Sequence, residues 1–270
     1  MLDLFNIPTP QTANYQEFYG SGSGAPASNI CTWIKPRGAS MVRFLMIGPG
    51  GDGSSGSSTV GGGGGGSGAV TSWIGPAMFV PDNLVIYAES GGNGNSCVVY
   101  YQGKNGYNAL LTAYGGVRGS STTGGNGGAA MAANQFTACG IFTSIAGQVG
   151  AAGSSSGAGT NQTASSTTFL SGGAGGAGGG TGASTGGSVT PNYGYIALPA
   201  ATGGGTVKGA DGYFITQPIL VGTGGAGGTT STTVGTGGGR GGIGCGGGGS
   251  GEDGSSGGLG GAGAVFIWAW

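Results

Sequence analysis

Histidine is absent from the 270 residues, and with it goes the commonest general base of enzyme active sites. Charge is scarce too: only 6% of residues are charged and the net charge is −1. No basic face is therefore expected to attract phosphate polymers, and a nucleic-acid partner is not expected. Apolar runs are short, none approaching the ~18 residues of a membrane-spanning helix, so membrane insertion is not expected either. The opening "MLDLFNIPTPQ" has an acidic Asp3, no basic n-region and two early prolines, and does not read as a signal peptide. The four cysteines, Cys31, Cys97, Cys139 and Cys245, are far apart with no C-x-x-C pair. That spacing implies neither a metal site nor a dense disulfide framework, and buried free thiols are the economical reading. No cofactor is expected.

What the chain has instead is glycine, 74 residues of it, concentrated in runs such as "GGGGGG" (61–66), "GGAGGAGGGTG" (172–182), "GTGGAGG" (222–228), "GTGGGRGGIGCGGGGSG" (235–251) and "GGLGGAG" (257–263). Such runs serve either as flexible linkers or as a scaffold made of backbone. Disorder is the simplest expectation for so much glycine. Against it stand concentrated aromatic and β-branched runs, which disordered chains lack.

Those runs read as strands. In "ASMVRFLMIG" (39–48), Met41, Arg43, Leu45 and Ile47 share one face and Val42, Phe44 and Met46 the other. "NLVIYAES" (83–90), "SCVVYYQG" (96–103) and "YNALLTAYGG" (107–116) follow, each ended by Gly or Asn, a rhythm of strands and turns that suggests a sandwich-like core. The closing "GAVFIWAW" puts Phe266, Trp268 and Trp270 on one face and Val265 and Ile267 on the other. A strand this apolar is expected to be buried by returning to the N-terminal sheet.

The glycine runs have a three-residue beat: Ala174 and Ala177; Thr223, Ala226 and Thr229; Arg240 and Ile243; Leu259, Ala262 and Val265. Three matches neither the 3.6 of an α-helix nor the 2.0 of a strand, but it matches the polyproline II geometry, which has no internal hydrogen bonds. Such helices must bond laterally, with glycine wherever a neighbour approaches and side chains only on an outward face. Collagen is excluded by the short, irregular triplets and only 10 prolines. The segments between the runs (129–150, 160–172, 188–203 and 209–222) are read as connecting loops with exposed tips.

The predicted fold is thus mainly β plus irregular: a β-sandwich-like core closed by the C-terminal strand, with a bundle of polyglycine II helices. The expected divisions are a connector or attachment segment (1–30), a β-rich core (31–116), a glycine-rich bundle with display loops (117–262) and the returning strand (263–270).

At "CTWIKPRGASMVRFLMIGPGGDG" (31–53), "ALLTAYGGVRGSSTTGGNGGAA" (109–130) and "GGLGGAGAVFIWAW" (257–270) the chain resembles the glycine-rich receptor-binding adhesins and fibre tips of tailed bacteriophages. In those proteins stacked polyglycine helices hold loops that bind outer-membrane proteins or surface glycans. The resemblance implies a non-enzymatic virion protein made in the host cytoplasm. Its partners would be other virion proteins, a bacterial surface protein or glycan, and further copies of itself in a homo-oligomer. Those adhesins carry a larger N-terminal attachment domain than the 30 residues seen before this β region. That departure leaves open a head-fibre or capsid decoration role.

Few residues suggest chemistry. "GSSSG" (153–157) matches G-x-S-x-G, but no strand precedes it and no histidine exists to activate Ser155. Lys104 and Lys208 complete no phosphate-binding loop. Glu252 and Asp253 are read as a solvated turn. The receptor-binding candidates are Phe169, Tyr193, Tyr195, Tyr213 and Phe214, with Phe136 and Phe142 as further loop aromatics. Tyr and Phe offer large rigid contact area, although the same residues serve equally as small local cores. Leu2, Leu4, Phe5 and Ile7 are the candidates for assembly, unless the N-terminal tail folds back on its own core. Two alternatives from other classes are an ice-binding protein, with Thr223, Ala226 and Thr229 as a flat row, and an elastic glycine-rich matrix protein.

Overall fold

The computed structural model describes residues 14–21, 29–165, 167–178, 184–191, 201–204, 208–215, 220–230, 235–253 and 256–270. The described chain is mainly β. One antiparallel sheet has the order β1-β13-β3-β4-β8 and is built from Asn14–Tyr19 (β1), Met41–Ile47 (β3), Val70–Pro76 (β4), Ile141–Ile145 (β8) and Ala264–Ala269 (β13). The other, also antiparallel, has the order β2-β5-β6-β7 and is built from Asn29–Ile34 (β2), Asn83–Ala88 (β5), Ser96–Gly103 (β6) and Gly106–Tyr114 (β7). Two short pairs are the parallel Gln162–Thr163 (β9) with Val189–Thr190 (β10) and the antiparallel Phe214–Ile215 (β11) with Val221–Gly222 (β12).

Alternation along the strands makes one core shared by both sheets. Val42, Phe44 and Met46 of β3, Trp73 of β4 and Val265, Ile267 and Ala269 of β13 pack with Trp33, Leu84, Ile86, Val99 and Leu111 of the other sheet. Its centre is a chain of rings: Trp33 meets Phe44 at 6.1 Å, Phe44 meets Trp73 at 6.0 Å, and Trp73 stacks on Phe136 at 4.4 Å. The C-terminal strand lies between β1 and β3, with Phe266 opposite Leu45 and Ile267 opposite Phe44. Both of its faces are covered for most of its length, the condition an all-apolar strand requires.

Two segments differ from their sequence reading. Asn14–Tyr19, expected inside the connector, is a sheet strand, because Phe18 reaches the core while Tyr15, Glu17 and Tyr19 alternate outward. Ile141–Ile145, expected in a loop, is the edge strand β8. Its alternation is brief, and the small residues before it hide the signal. Leu2, Leu4, Phe5 and Ile7 lie outside the described residues.

Several strands run directly into glycine segments: β3 into 48–56, β7 into 115–120 and β8 into 147–154, while 61–69 feeds β4 and 256–263 feeds β13. These segments bond side to side. In 61–68, the amides of Gly61, Gly64 and Ser67 donate to the carbonyls of Ser154, Ala151 and Gln148 at 2.8, 2.8 and 2.9 Å. Those of Gly62, Gly65 and Gly68 donate to Ser250, Gly247 and Gly244 at 2.7, 2.8 and 2.7 Å. Those of Gly63 and Gly66 donate to Ser120 and Val117 at 2.7 and 3.0 Å. Every third amide thus faces the same neighbour. The carbonyls rotate likewise, accepting from Gly51 and Ser54, from Gly125, and from Gly173 and Gly176. Segment 246–253 repeats the pattern: Gly246, Gly249 and Glu252 donate to Ser171, Ala174 and Ala177, and Gly247, Ser250 and Asp253 to Gly51, Ser54 and Ser57.

Such lateral bonding satisfies buried backbone groups without a helix or a sheet ladder. It also excludes side chains: a Cβ on Gly62 or Gly65 would stand 2.0 Å from the carbonyl oxygen of Ser54 or Gly51.

The expectation that the third residue of each triplet faces outward is corrected for Ala174, Ala177 and Ala226. All three are fully buried, and Ala174 and Ala226 join Val189 and Ala201 in a small apolar seam. Thr223 and Thr229 are buried as well, so the row required for ice binding is not a surface. Stacking glycine segments leaves slots that a methyl group fills without separating the backbones.

Candidate functional site

Two surfaces stand out, one at each end of the glycine region. The end remote from the sheets is built from turns. Ser57 and Val60 close one (N–H to O, 2.8 Å), and Ser120 and Thr123 another (2.9 Å). A third, at 154–157, is tied to 176–178 by the Ser154 and Gly157 amides. Serine and threonine at 57–59, 120–123 and 155–156 are exposed, and the Ser120 and Thr123 hydroxyls lie 2.6 Å apart. Segment 246–253 ends here too, where Asp253, in the left-handed region at φ 43°, donates its amide to Ser57 (3.0 Å). Among the described residues the end is therefore rich in hydroxyls and poor in charge. Glu252, read as solvated, is buried, because its amide bonds Ala177 at 3.0 Å and draws it into the lattice. Asp253 is exposed.

Of the expected receptor-binding aromatics, the described Phe169, Tyr213 and Phe214 do not lie at that end. Phe169 is 38% exposed and Tyr213 45%, while Phe214 is half-buried against a cluster of Ile47, Val70, Leu170, Cys245, Ala264 and Phe266. A short hairpin, Phe214–Ile215 (β11) with Val221–Gly222 (β12), brings these together. The Gly222 amide donates to the Phe169 carbonyl at 3.0 Å. Tyr193 and Tyr195 lie outside the described residues. Phe136 and Phe142 belong to the core: Phe136 stacks on Trp73, and Phe142 packs on the same cluster.

Phe169 and Phe214 instead flank the outward face of the five-stranded sheet. Register sets out this face in rows. Tyr15, Trp268, Arg43, Ile74 and Ile141 form one row, and Glu17, Phe266, Leu45, Ser72 and Thr143 the next. Tyr15 stacks on Trp268 with centroids 5.0 Å apart, and the Arg43 guanidinium lies 5.1 Å from the centre of the Trp268 ring. Among the described residues Arg43 forms no ion pair. Partial burial, and then the Glu17 carboxylate, push the Tyr19 hydroxyl up to about 12 and the Tyr15 hydroxyl still higher.

Beside Arg43 lies a groove of about 290 Å³. It is lined from the sheet face by Leu45, Ser72 and Thr143 of one row and Val70 and Ile145 of the next, and by Phe169 and Leu220 from outside the sheet. Sequence reasoning missed this site. Alternation had put Arg43 beside Leu45, and Phe266 beside Trp268, but only the register joins the two pairs with Ser72 and Thr143.

Among the described residues no cluster of three or more His, Cys, Asp or Glu side chains is arranged to hold a metal ion. All four cysteines are free; Cys97 and Cys245 are buried, and burial pushes each thiol up to about 12. Asp211 is partly buried, which opposes its ionisation. Hydrogen bonds from the Arg240 amide (2.8 Å) and Lys208 (3.0 Å) outweigh that effect and hold its carboxyl below the ordinary range. This carboxylate pins the turn at 208–212, a structural task. No helix among the described residues is long and apolar enough to cross a membrane. In comparison with known proteins, no family model matches the chain and no curated protein matches its sequence.

Proposed function

We propose that the chain is a non-enzymatic virion protein, a tail-fibre or fibre-tip adhesin of a tailed bacteriophage, in which a polyglycine II bundle holds host-recognition turns. The observation that carries this reading is the three-step rotation of hydrogen bonds around residues 61–68, whose amides and carbonyls together engage six neighbouring segments. A bundle bonded in every lateral direction holds turns rigidly without a side-chain core, so turn sequences can vary while the scaffold stays fixed. Preorganised turns lose little entropy on binding. The hydroxyl-rich end at 57–60, 120–123 and 154–157 is the receptor-facing surface in this reading, and the partner is a bacterial surface protein or glycan. The residues that precede β1 supply the contact with the rest of the virion.

The test is binding of fluorescently labelled protein to a panel of bacterial strains, alongside variants with residues 57–60 and 120–123 replaced by other turn sequences. Strain-selective binding that the replacements abolish supports an adhesin. A folded protein that binds no strain overturns that reading and moves the assignment to capsid decoration.

A further inference from the structure

The outward face of the five-stranded sheet is exposed at Tyr15, Glu17, Arg43, Ile141 and Thr143, although Phe266 within it is buried, and its chemistry differs from that of the hydroxyl-rich turns. Trp268 lies between Tyr15 and Arg43, with the guanidinium carbon 5.1 Å from its ring centre, a cation–π contact that limits the freedom of the Arg43 donors before they meet an anion. No carboxylate of the described residues pairs with it. The groove beside it, about 290 Å³, lies near the lower end of ligand sites, which run from roughly 300 to 1,000 Å³, and is too small to be the footprint of a folded partner. Its lining is divided. On the sheet face Leu45, Val70 and Ile145 are apolar while Ser72 and Thr143 add hydroxyls in the row of Leu45, and Phe169, 38% exposed, brings a ring from outside the sheet.

A sugar ring offers surfaces that match both kinds of lining: C–H groups on its faces and hydroxyls around its edge. We infer that this groove binds an anionic saccharide unit, with the acid group on Arg43, the ring between the aliphatic side chains and Phe169, and its hydroxyls on Ser72 and Thr143. The acid is a carboxylate or a phosphate, both of which a guanidinium meets with two parallel hydrogen bonds. The site is separate from the turns at the far end and stands whether or not those turns bind a receptor.

The experiment is direct binding of the full chain, by calorimetry or saturation-transfer NMR, to four probes: hyaluronan oligosaccharides, oligosialic acid, glucose 6-phosphate and neutral dextran oligosaccharides. At least one acidic probe should bind and dextran should not. The carboxylate and phosphate probes tell which acid the site takes. Arg43→Gln should weaken binding tenfold or more, Arg43→Lys less than that, and Phe169→Ala at least threefold, with circular dichroism unchanged. The protein with residues 57–60 and 120–123 replaced should bind these probes like the parent, which separates this site from cell attachment. Binding of none of the acidic probes, equal binding of dextran, or an Arg43→Gln variant that binds as the parent does would overturn the inference.

Discussion

Gly227 and Gly175 approach so closely that a Cβ on Gly227 would stand 1.9 Å from the Gly175 carbonyl oxygen. Gly175 is itself confined, its own Cβ position lying 1.8 Å from the carbonyl oxygen of Ala152. Backbone atoms on both sides leave nowhere for a side chain to go. Gly175→Val and Gly227→Val should therefore each cost more than the ~1–3 kcal/mol usual for overpacking, or prevent folding. Ala158 is exposed, and Ala158→Ser should change stability by less than about 0.5 kcal/mol. Denaturant titration of the three variants checks this, and equal tolerance would refute close packing of the glycine segments.

Phe136 and Phe169 looked alike as loop aromatics but occupy different environments. Phe136 stacks on Trp73 at 4.4 Å, whereas Phe169 is 38% exposed. Phe136→Ala should cost about 2 to 4 kcal/mol, and Phe169→Ala under about 1 kcal/mol. A single denaturation series separates the two.

Alkaline pH should destabilise the fold through its buried thiols. Burial raises Cys97 and Cys245 from 9.0 to about 12, so the folded state keeps protons that the unfolded state releases. This contribution is complete below about pH 9 and is lost as pH rises toward 12. At about 1.4 kcal/mol per pH unit for each group, the two thiols together should cost about 3 kcal/mol at pH 10. Tyr19 adds to the same trend above its ordinary value of 10. The double variant Cys97→Ala/Cys245→Ala should flatten the decline between pH 8 and 10, whatever its stability at neutral pH.

Thiol reactivity should divide the cysteines in pairs. Cys31 and Cys139 are partly exposed, whereas Cys97 and Cys245 are buried. A thiol-specific chromogenic reagent should label two groups in the native protein and all four after unfolding. Four fast groups in the native protein would show that the core is more open than described.

The sequence by itself determined the strands whose side chains alternate, such as Met41–Ile47, and the return of the apolar C-terminal strand to the sheet that can bury it. It also determined the spacing of three in the glycine runs, because successive residues of such an extended turn present their amides in three directions and every third amide returns to the same neighbour. The register across β1, β13, β3, β4 and β8 lay beyond it, and so did the face on which Arg43, Trp268, Ser72 and Thr143 meet. The neighbours of each glycine run were equally hidden. A glycine amide forms the same bond with any carbonyl, and a run such as 61–66 has no side chain to mark its partner. Tertiary structure made that choice through the strands that feed the runs and fix their positions and directions. The same packing decided that Ala174, Ala177 and Ala226 point inward, since only the stacked segments create the slots their methyl groups fill.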